Sequence, residues 1–206
     1  MVFTQKFQTW VRDTARRFVT AAHILGITPN TLTMIGLLIT ALGAVLVAAG
    51  YLILGGVVLA GAAIFDILDG AVARVTGRVQ RYGAFLDSTS DRYAEAFTFI
   101  GLIYYFLFNN GAQTQLPAML INAALTGSLL VSYVRARAQS LGFKCDGGLL
   151  ARPERIVVIV VGLIVHPLLI PALWVLAVLT NLTAVQRILL VWREARRMTP
   201  SESQLT

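Results

Sequence analysis

Three long stretches of this chain contain no Lys, Arg, Asp or Glu: Phe18 to Phe65, Ala96 to Val134 and Ile156 to Gln186. No other feature restricts the fold as strongly. A membrane-spanning helix needs roughly 20 apolar residues, so each stretch has room for two spans joined by a tight turn. The composition agrees: 57% of residues are hydrophobic and 13% charged, and the mean hydropathy is +0.74, whereas a soluble domain carries about 25% charged residues. Disorder, collagen-like repeats and a coiled coil are excluded by the same figures. A single cysteine, Cys145, leaves no intrachain disulfide to stabilise a secreted scaffold.

Turn chemistry divides each stretch, at Ala49-Gly50, at Asn109-Asn110-Gly111, and from His166-Pro167 to Pro171. The pattern predicts an all-α integral membrane protein with helices at 31–49, 52–76, 83–108, 115–141, 153–169 and 171–193. These are six transmembrane spans in a single domain covering residues 1–206. Ahead of them, Phe3, Phe7, Trp10, Val11 and Phe18 recur at helical spacing, while Lys6, Asp13, Arg16 and Arg17 occupy other faces. Residues 3–18 therefore read as an amphipathic interfacial helix with its rings toward the acyl chains and its basic groups toward anionic lipid. The segment mixes charge and aromatics throughout and lacks the apolar core of a signal peptide.

Seventeen Lys and Arg against ten Asp and Glu give a net charge of +7. In so apolar a chain this excess points to an anionic membrane surface, and no motif suggests a nucleic-acid partner. The connections near 50, 109–114 and 166–171 contain no Lys or Arg, whereas Lys6 to Arg17, Arg74 to Arg81, Arg135 to Arg155 and Arg193 to Arg197 crowd the other side. The positive-inside rule then puts both termini in the cytoplasm.

Four acids interrupt the apolar pattern. Asp66 and Asp69 are three residues apart, and Asp87 and Asp91 four apart, so each pair shares one helix face. An aspartate at mid-bilayer costs about 2.5–3.5 kcal/mol, and even near the cytoplasmic ends four of them need compensation. Hard divalent cations such as Mg²⁺ or Mn²⁺ supply it, because they take oxygen ligands and bind through carboxylates together with substrate phosphate. Asp–Arg pairing with Arg74, Arg78, Arg81 or Arg92 is the structural alternative. A divalent-cation transporter is the functional one, although its acids would be spread across the membrane's depth. Gly70, Ala73 and Gly83 keep the surface beside the acids free of side chains, which suits a flat group such as a nucleobase as well as close helix packing.

Cations gather at the same end, in Ser132-Tyr133-Val134-Arg135-Ala136-Arg137, in Lys144-Cys145-Asp146-Gly147-Gly148 and in Arg152-Pro153-Glu154-Arg155. Together they suit a pocket for a second phosphate, since the arginine fork donates two parallel hydrogen bonds. Arg135 and Arg187 lie inside predicted helices and need an anionic partner there. Lys144 is an ordinary positive-inside residue.

Read together, the acids and their neighbours spell Asp66-x2-Asp69-Gly70-x2-Ala73-Arg74-x8-Gly83-x3-Asp87-x3-Asp91. This resembles the signature of the CDP-alcohol phosphotransferases at all eight positions. The resemblance implies displacement of CMP from CDP-diacylglycerol by an alcohol hydroxyl, in a homodimer whose active site faces the cytoplasm. It also implies that Asp66, Asp69, Asp87 and Asp91 hold two Mg²⁺ or Mn²⁺ ions, with Asp91 as general base. Gly70, Ala73, Arg74 and Gly83 would contact the cytidine diphosphate. Asn30 and Thr33 of Pro29-Asn30-Thr31-Leu32-Thr33 match the family's nucleotide-side element, where Asn30 or Thr31 also reads as a helix N-cap. Within the family, the basic elements are similar to those of the actinobacterial phosphatidylinositol phosphate synthases. The matching positions are Ser132, Arg135 (Lys in some members), Arg137, Arg152, Arg155 and Arg187 after Gln186. That similarity favours inositol 1-phosphate as acceptor over glycerol 3-phosphate, which a cationic pocket alone would fit equally well.

Overall fold

A computed structural model describes residues 28–76, 81–109, 114–145 and 147–196; for Pro29 and residues 67–76 only the backbone is described. The expected interfacial helix at 3–18 lies outside the described residues. Six α-helices follow in order: α1 Pro29–Ala48, α2 Leu52–Thr76, α3 Arg81–Asn109, α4 Gln115–Ser140, α5 Arg152–Ile164 and α6 Leu169–Ala195, with a 3₁₀ turn at His166–Leu168 between the last two. The described residues contain no strand.

The prolines explain several boundaries. Pro29, Pro117, Pro153 and Pro171 all lie in the first turn of a helix, where a missing N–H breaks no intrahelical bond. Pro171 therefore does not start α6, which begins two residues earlier than expected. Pro167 sits instead in the 3₁₀ turn, so α5 ends at Ile164 and not at 169. The cap of α1 also differs from expectation. Thr28, not Asn30 or Thr31, is the N-cap: its hydroxyl accepts from the Thr31 N–H at 3.2 Å and meets the Thr31 hydroxyl at 2.8 Å. Between α1 and α2 the chain reverses through Gly50 at φ +91°, a left-handed conformation that favours glycine. The Asn109 side chain donates from Nδ2 to the Ala48 carbonyl at 3.0 Å, which ties the far end of α3 to this turn.

Each helix packs chiefly on two others, closing a ring in the order α1, α2, α5, α6, α4, α3. At five of the six joints a glycine sits in close contact with the neighbouring helix. A Cβ on Gly55 would meet Val47 at 2.6 Å, one on Gly56 would meet Leu163 and Ile164 at 3.1 Å, and one on Gly162 would meet Ala172 at 2.9 Å. One on Gly127 would meet Thr180 at 2.1 Å, and one on Gly101 the Ala44 carbonyl at 2.4 Å. In a membrane the attraction between helices is mainly close van der Waals contact, which small residues permit. Leu102, Ile121, Leu163, Leu173 and Leu176 are fully buried within the ring.

Leu38, Leu42, Val45, Ile53, Val57, Met119, Val161 and Ile188 are exposed, as expected of surfaces facing lipid. Three helical segments are long and apolar enough to cross a membrane, Asn30–Ala48, Gln115–Ser140 and His166–Ala195, and Leu52–Asp66 is a shorter apolar helix. The chain is thus an all-helical membrane protein. Of the remaining helices, α3 is polar in its first half, with Asp87, Asp91, Arg92 and Glu95, and α5 has only 13 residues.

Candidate active site

The acids predicted to act together meet where α2, α3 and α5 converge. Asp66 comes from α2, and Asp87 and Asp91 are stacked one turn apart on α3. One carboxylate oxygen from each lies within 4.8 Å of the others. Asp69, Gly70, Ala73 and Arg74 fall in the backbone-only part of α2, so their side chains lie outside the described residues.

Arg152, at the first turn of α5, enters this cluster. Its Nη1 donates to Asp66 Oδ2 at 2.6 Å and lies 2.7 Å from Asp91 Oδ1. Arg92 Nη2 approaches Asp91 Oδ2 at 3.5 Å. Asp–Arg pairing is therefore part of the site, and among the described residues Arg152 is its main cation; of the arginines considered as partners Arg92 approaches the acids, while Arg78 and the side chain of Arg74 lie outside the described residues. One turn deeper lies a second pair. Glu95, on the same face of α3 as Asp91, accepts from Arg155 of α5 through Nε at 3.0 Å and through Nη2, while Arg155 Nη1 donates to the Leu150 carbonyl at 3.3 Å. Glu95 is 8% exposed and Arg155 4%. Sequence reasoning missed Glu95, although its four-residue spacing from Asp91 and the three-residue spacing of Arg152 and Arg155 align the two pairs.

A narrow cleft opens beside these charges. Thr33, Gly36, Leu37 and Thr40 of α1 form one wall, Leu59, Ala62, Ala63 and Asp66 of α2 another, and Ser90, Asp91, Ala94 and Glu95 of α3 face Arg152 and Ile156 of α5. One end is thus charged and the other apolar. Of the residues expected to bind nucleotide, Thr33 lines the cleft, and Asn30 lies beside Gly83, where a Cβ would meet its Oδ1 at 3.2 Å.

The other expected acceptor residues are spread around the basic end and do not line the cleft. Ser132 donates to the Ser128 carbonyl at 3.1 Å. Arg135 and Arg137 are exposed, and Arg137 Nη1 lies 3.5 Å from Ser140 Oγ. Arg187 is buried, with Nε donating to the Gly147 carbonyl at 2.9 Å and Nη1 to the Val131 carbonyl at 2.7 Å. It joins α6 to α4 and to the loop that leads into Arg152. Glu194 holds the same loop by accepting the Lys144 N–H at 3.0 Å.

A donor set of carboxylate oxygens alone, converging from two helices, is the chemistry that hard divalent cations select. The sequence agrees with the geometry: the model of the CDP-alcohol phosphatidyltransferase family matches residues 26–192, and the chain belongs to that family. Phosphatidylinositol phosphate synthase of Mycobacteroides abscessus is 40% identical over 169 residues, a match covering 79% of this chain and 76% of that protein. Archaetidylinositol phosphate synthase of Methanothermobacter thermautotrophicus is 38% identical over 191 residues, with 90% and 94% covered. Among solved structures, Mycobacterium tuberculosis phosphatidylinositol phosphate synthase with CDP-DAG bound superposes with a TM-score of 0.81 at 34% identity, covering 86% of this chain and 93% of that one. The same enzyme in complex with manganese and citrate gives the same score and identity.

Proposed function

We propose that this enzyme transfers the phosphatidyl group of CDP-diacylglycerol to inositol 1-phosphate, giving phosphatidylinositol phosphate and CMP. The observation that carries the reading is the convergence of Asp66, Asp87 and Asp91 within 4.8 Å at the charged end of a cleft whose other end is apolar. An anionic headgroup attached to acyl chains needs that polarity. The names of the relatives, which share an inositol phosphate headgroup across two lipid types, support the acceptor.

Asp66, Asp69, Asp87 and Asp91 would hold two divalent cations, Mg²⁺ or Mn²⁺. Such ions neutralise charge that develops on a leaving phosphate. Asp91 takes the proton of the attacking hydroxyl as general base. Asn30, Thr33, Gly70, Ala73, Arg74 and Gly83 bind the cytidine diphosphate, the glycines and alanine by leaving room for it. Arg152 and Arg155, with Ser132, Arg135, Arg137 and Arg187, form the basic end that receives the acceptor's phosphate. We further read all six helices as membrane spans of one domain, with residues 3–18 as an interfacial helix, both termini and the active site on the cytoplasmic side, and the chain as a homodimer. The basic residues at one end support that orientation.

The test is CMP release by purified protein in detergent with CDP-diacylglycerol and Mn²⁺. Release with inositol 1-phosphate, abolished by chelator, is the expected result. Release with glycerol 3-phosphate alone would overturn the acceptor, and divalent-ion flux into proteoliposomes without CMP under any acceptor would overturn the enzyme.

A further inference from the structure

The two ion pairs between α3 and α5 leave complementary groups unused. Arg152 Nε is a buried donor and Glu95 Oε2 a buried acceptor, and neither has a hydrogen-bond partner among the described residues. Both side chains line the same cleft, and Glu95 is among the charges that act on Arg152. Arg155 occupies only Oε1 of Glu95, through two of its nitrogens. It therefore fixes the carboxylate and leaves the second oxygen uncommitted.

Structural need alone is a weak reason for such a pair. A buried ion pair can often be replaced by apolar residues without loss of stability, and an unsatisfied buried carboxylate oxygen carries a desolvation penalty. Arg152, meanwhile, sits on the two carboxylates that a divalent cation would use. Two cationic groups cannot share those oxygens without strong repulsion at such distances.

We infer that Glu95 is a positioning residue that gives Arg152 a second anionic seat, so that the guanidinium moves from Asp66 and Asp91 to Glu95 Oε2 when a divalent cation takes the aspartates. In the second seat Nε is held by Glu95, and the two terminal nitrogens remain available as a fork for the acceptor's phosphate. Arg155 acts through Glu95 by holding its carboxylate in place. The inference rests on the divalent-cation reading of the site proposed above.

Titration of Mn²⁺ into the purified full chain tests it, with bound ion read by calorimetry and free ion by electron paramagnetic resonance, without substrate. Arg152→Gln removes the competing cation and is expected to tighten Mn²⁺ binding about tenfold, and Glu95→Gln, which strands Arg152 on the aspartates, to weaken it about tenfold. The double variant decides between routes, because residues that act through one another are not additive. If Glu95 works through Arg152, the double variant binds Mn²⁺ within about twofold of Arg152→Gln alone. If Glu95 acts only as a distant negative charge, its full effect persists in the double variant and the inference is overturned. Unchanged or weaker binding in Arg152→Gln overturns it as well. Should Glu95→Gln fail to fold, Glu95→Gln with Arg155→Gln removes both buried charges and enters the same comparison. Wild-type protein that binds no Mn²⁺ would instead defeat the metal reading itself.

Discussion

The two sides of the helical ring differ in the kind of polarity they bury. Between α2, α3 and α5 the polar groups are charged, and several remain short of partners: Arg92 Nε, Arg152 Nε and Glu95 Oε2. Between α4 and α6 most are neutral and tightly packed, and the buried Arg187 guanidinium is held by backbone carbonyls. Ser128, Thr180 and Thr183 have no exposed surface, and here the atoms short of partners are hydroxyls, Ser128 Oγ and Thr180 Oγ1. Thr183 Oγ1 donates back to the Leu179 carbonyl at 2.6 Å, and Asn181 Nδ2 bridges to the Ala123 carbonyl at 2.9 Å. A buried hydroxyl or amide costs far less to leave unmet than a buried charge, so the neutral groups can serve as fixed struts. Unmet carboxylate and guanidinium atoms beside a cleft mark the side built to exchange partners with a ligand.

The strongest way to break this contrast is Asp91→Asn. Turnover is expected to fall about a thousandfold, the scale of losing a general base. The protein should remain folded, because Arg152 keeps Asp66 as a partner. CMP release and thermal unfolding in detergent measure the two effects separately, and a large loss of stability would show the acids to be structural. On the packed side, Gly127→Ala should do the reverse. Its new Cβ would meet Thr180 Oγ1 at 2.1 Å and Asn181 Nδ2 at 2.8 Å, a clash expected to destabilise by about 1–3 kcal/mol while activity per folded molecule is retained. The smallest effect is expected at the end away from the acids, where the Tyr105 hydroxyl meets His166 Nε2 at 3.1 Å. Tyr105→Phe should lower stability by roughly 0.5–1.5 kcal/mol, the net value of one hydrogen bond, and leave the kinetics unchanged.

Much of this architecture can be read in the residues. Long uncharged runs broken by turn residues yield six helices within a few positions of their observed limits, because apolar length and Gly or Asn punctuation are local properties. The end of α5 was not legible for a related reason: a proline can follow a helix or sit in the first turn of one, and only three-dimensional packing decides that α5 ends before Pro167 while α6 takes Pro171 into its first turn. The site divides in the same way. Helical spacing alone aligns Asp87 with Asp91, and their meeting with Asp66 follows from α2 and α3 both packing on α1. Nothing local says that Arg152, far along the chain, will bridge Asp66 and Asp91, or that Arg155 will claim Glu95. Those contacts depend on α2 and α3 both facing α5 across the cleft, a property of the ring's order.

The brevity of α5 reaches into substrate access. Thirteen residues rise only about 20 Å, against a hydrocarbon layer of roughly 30 Å. Were α5 one of the proposed spans, a shortfall of that size would set its first residue, Arg152, below the aqueous boundary. A lipid donor would then present its pyrophosphate to the aspartates while its tails stay among neighbouring lipids, leaving only the water-soluble acceptor to travel in from outside.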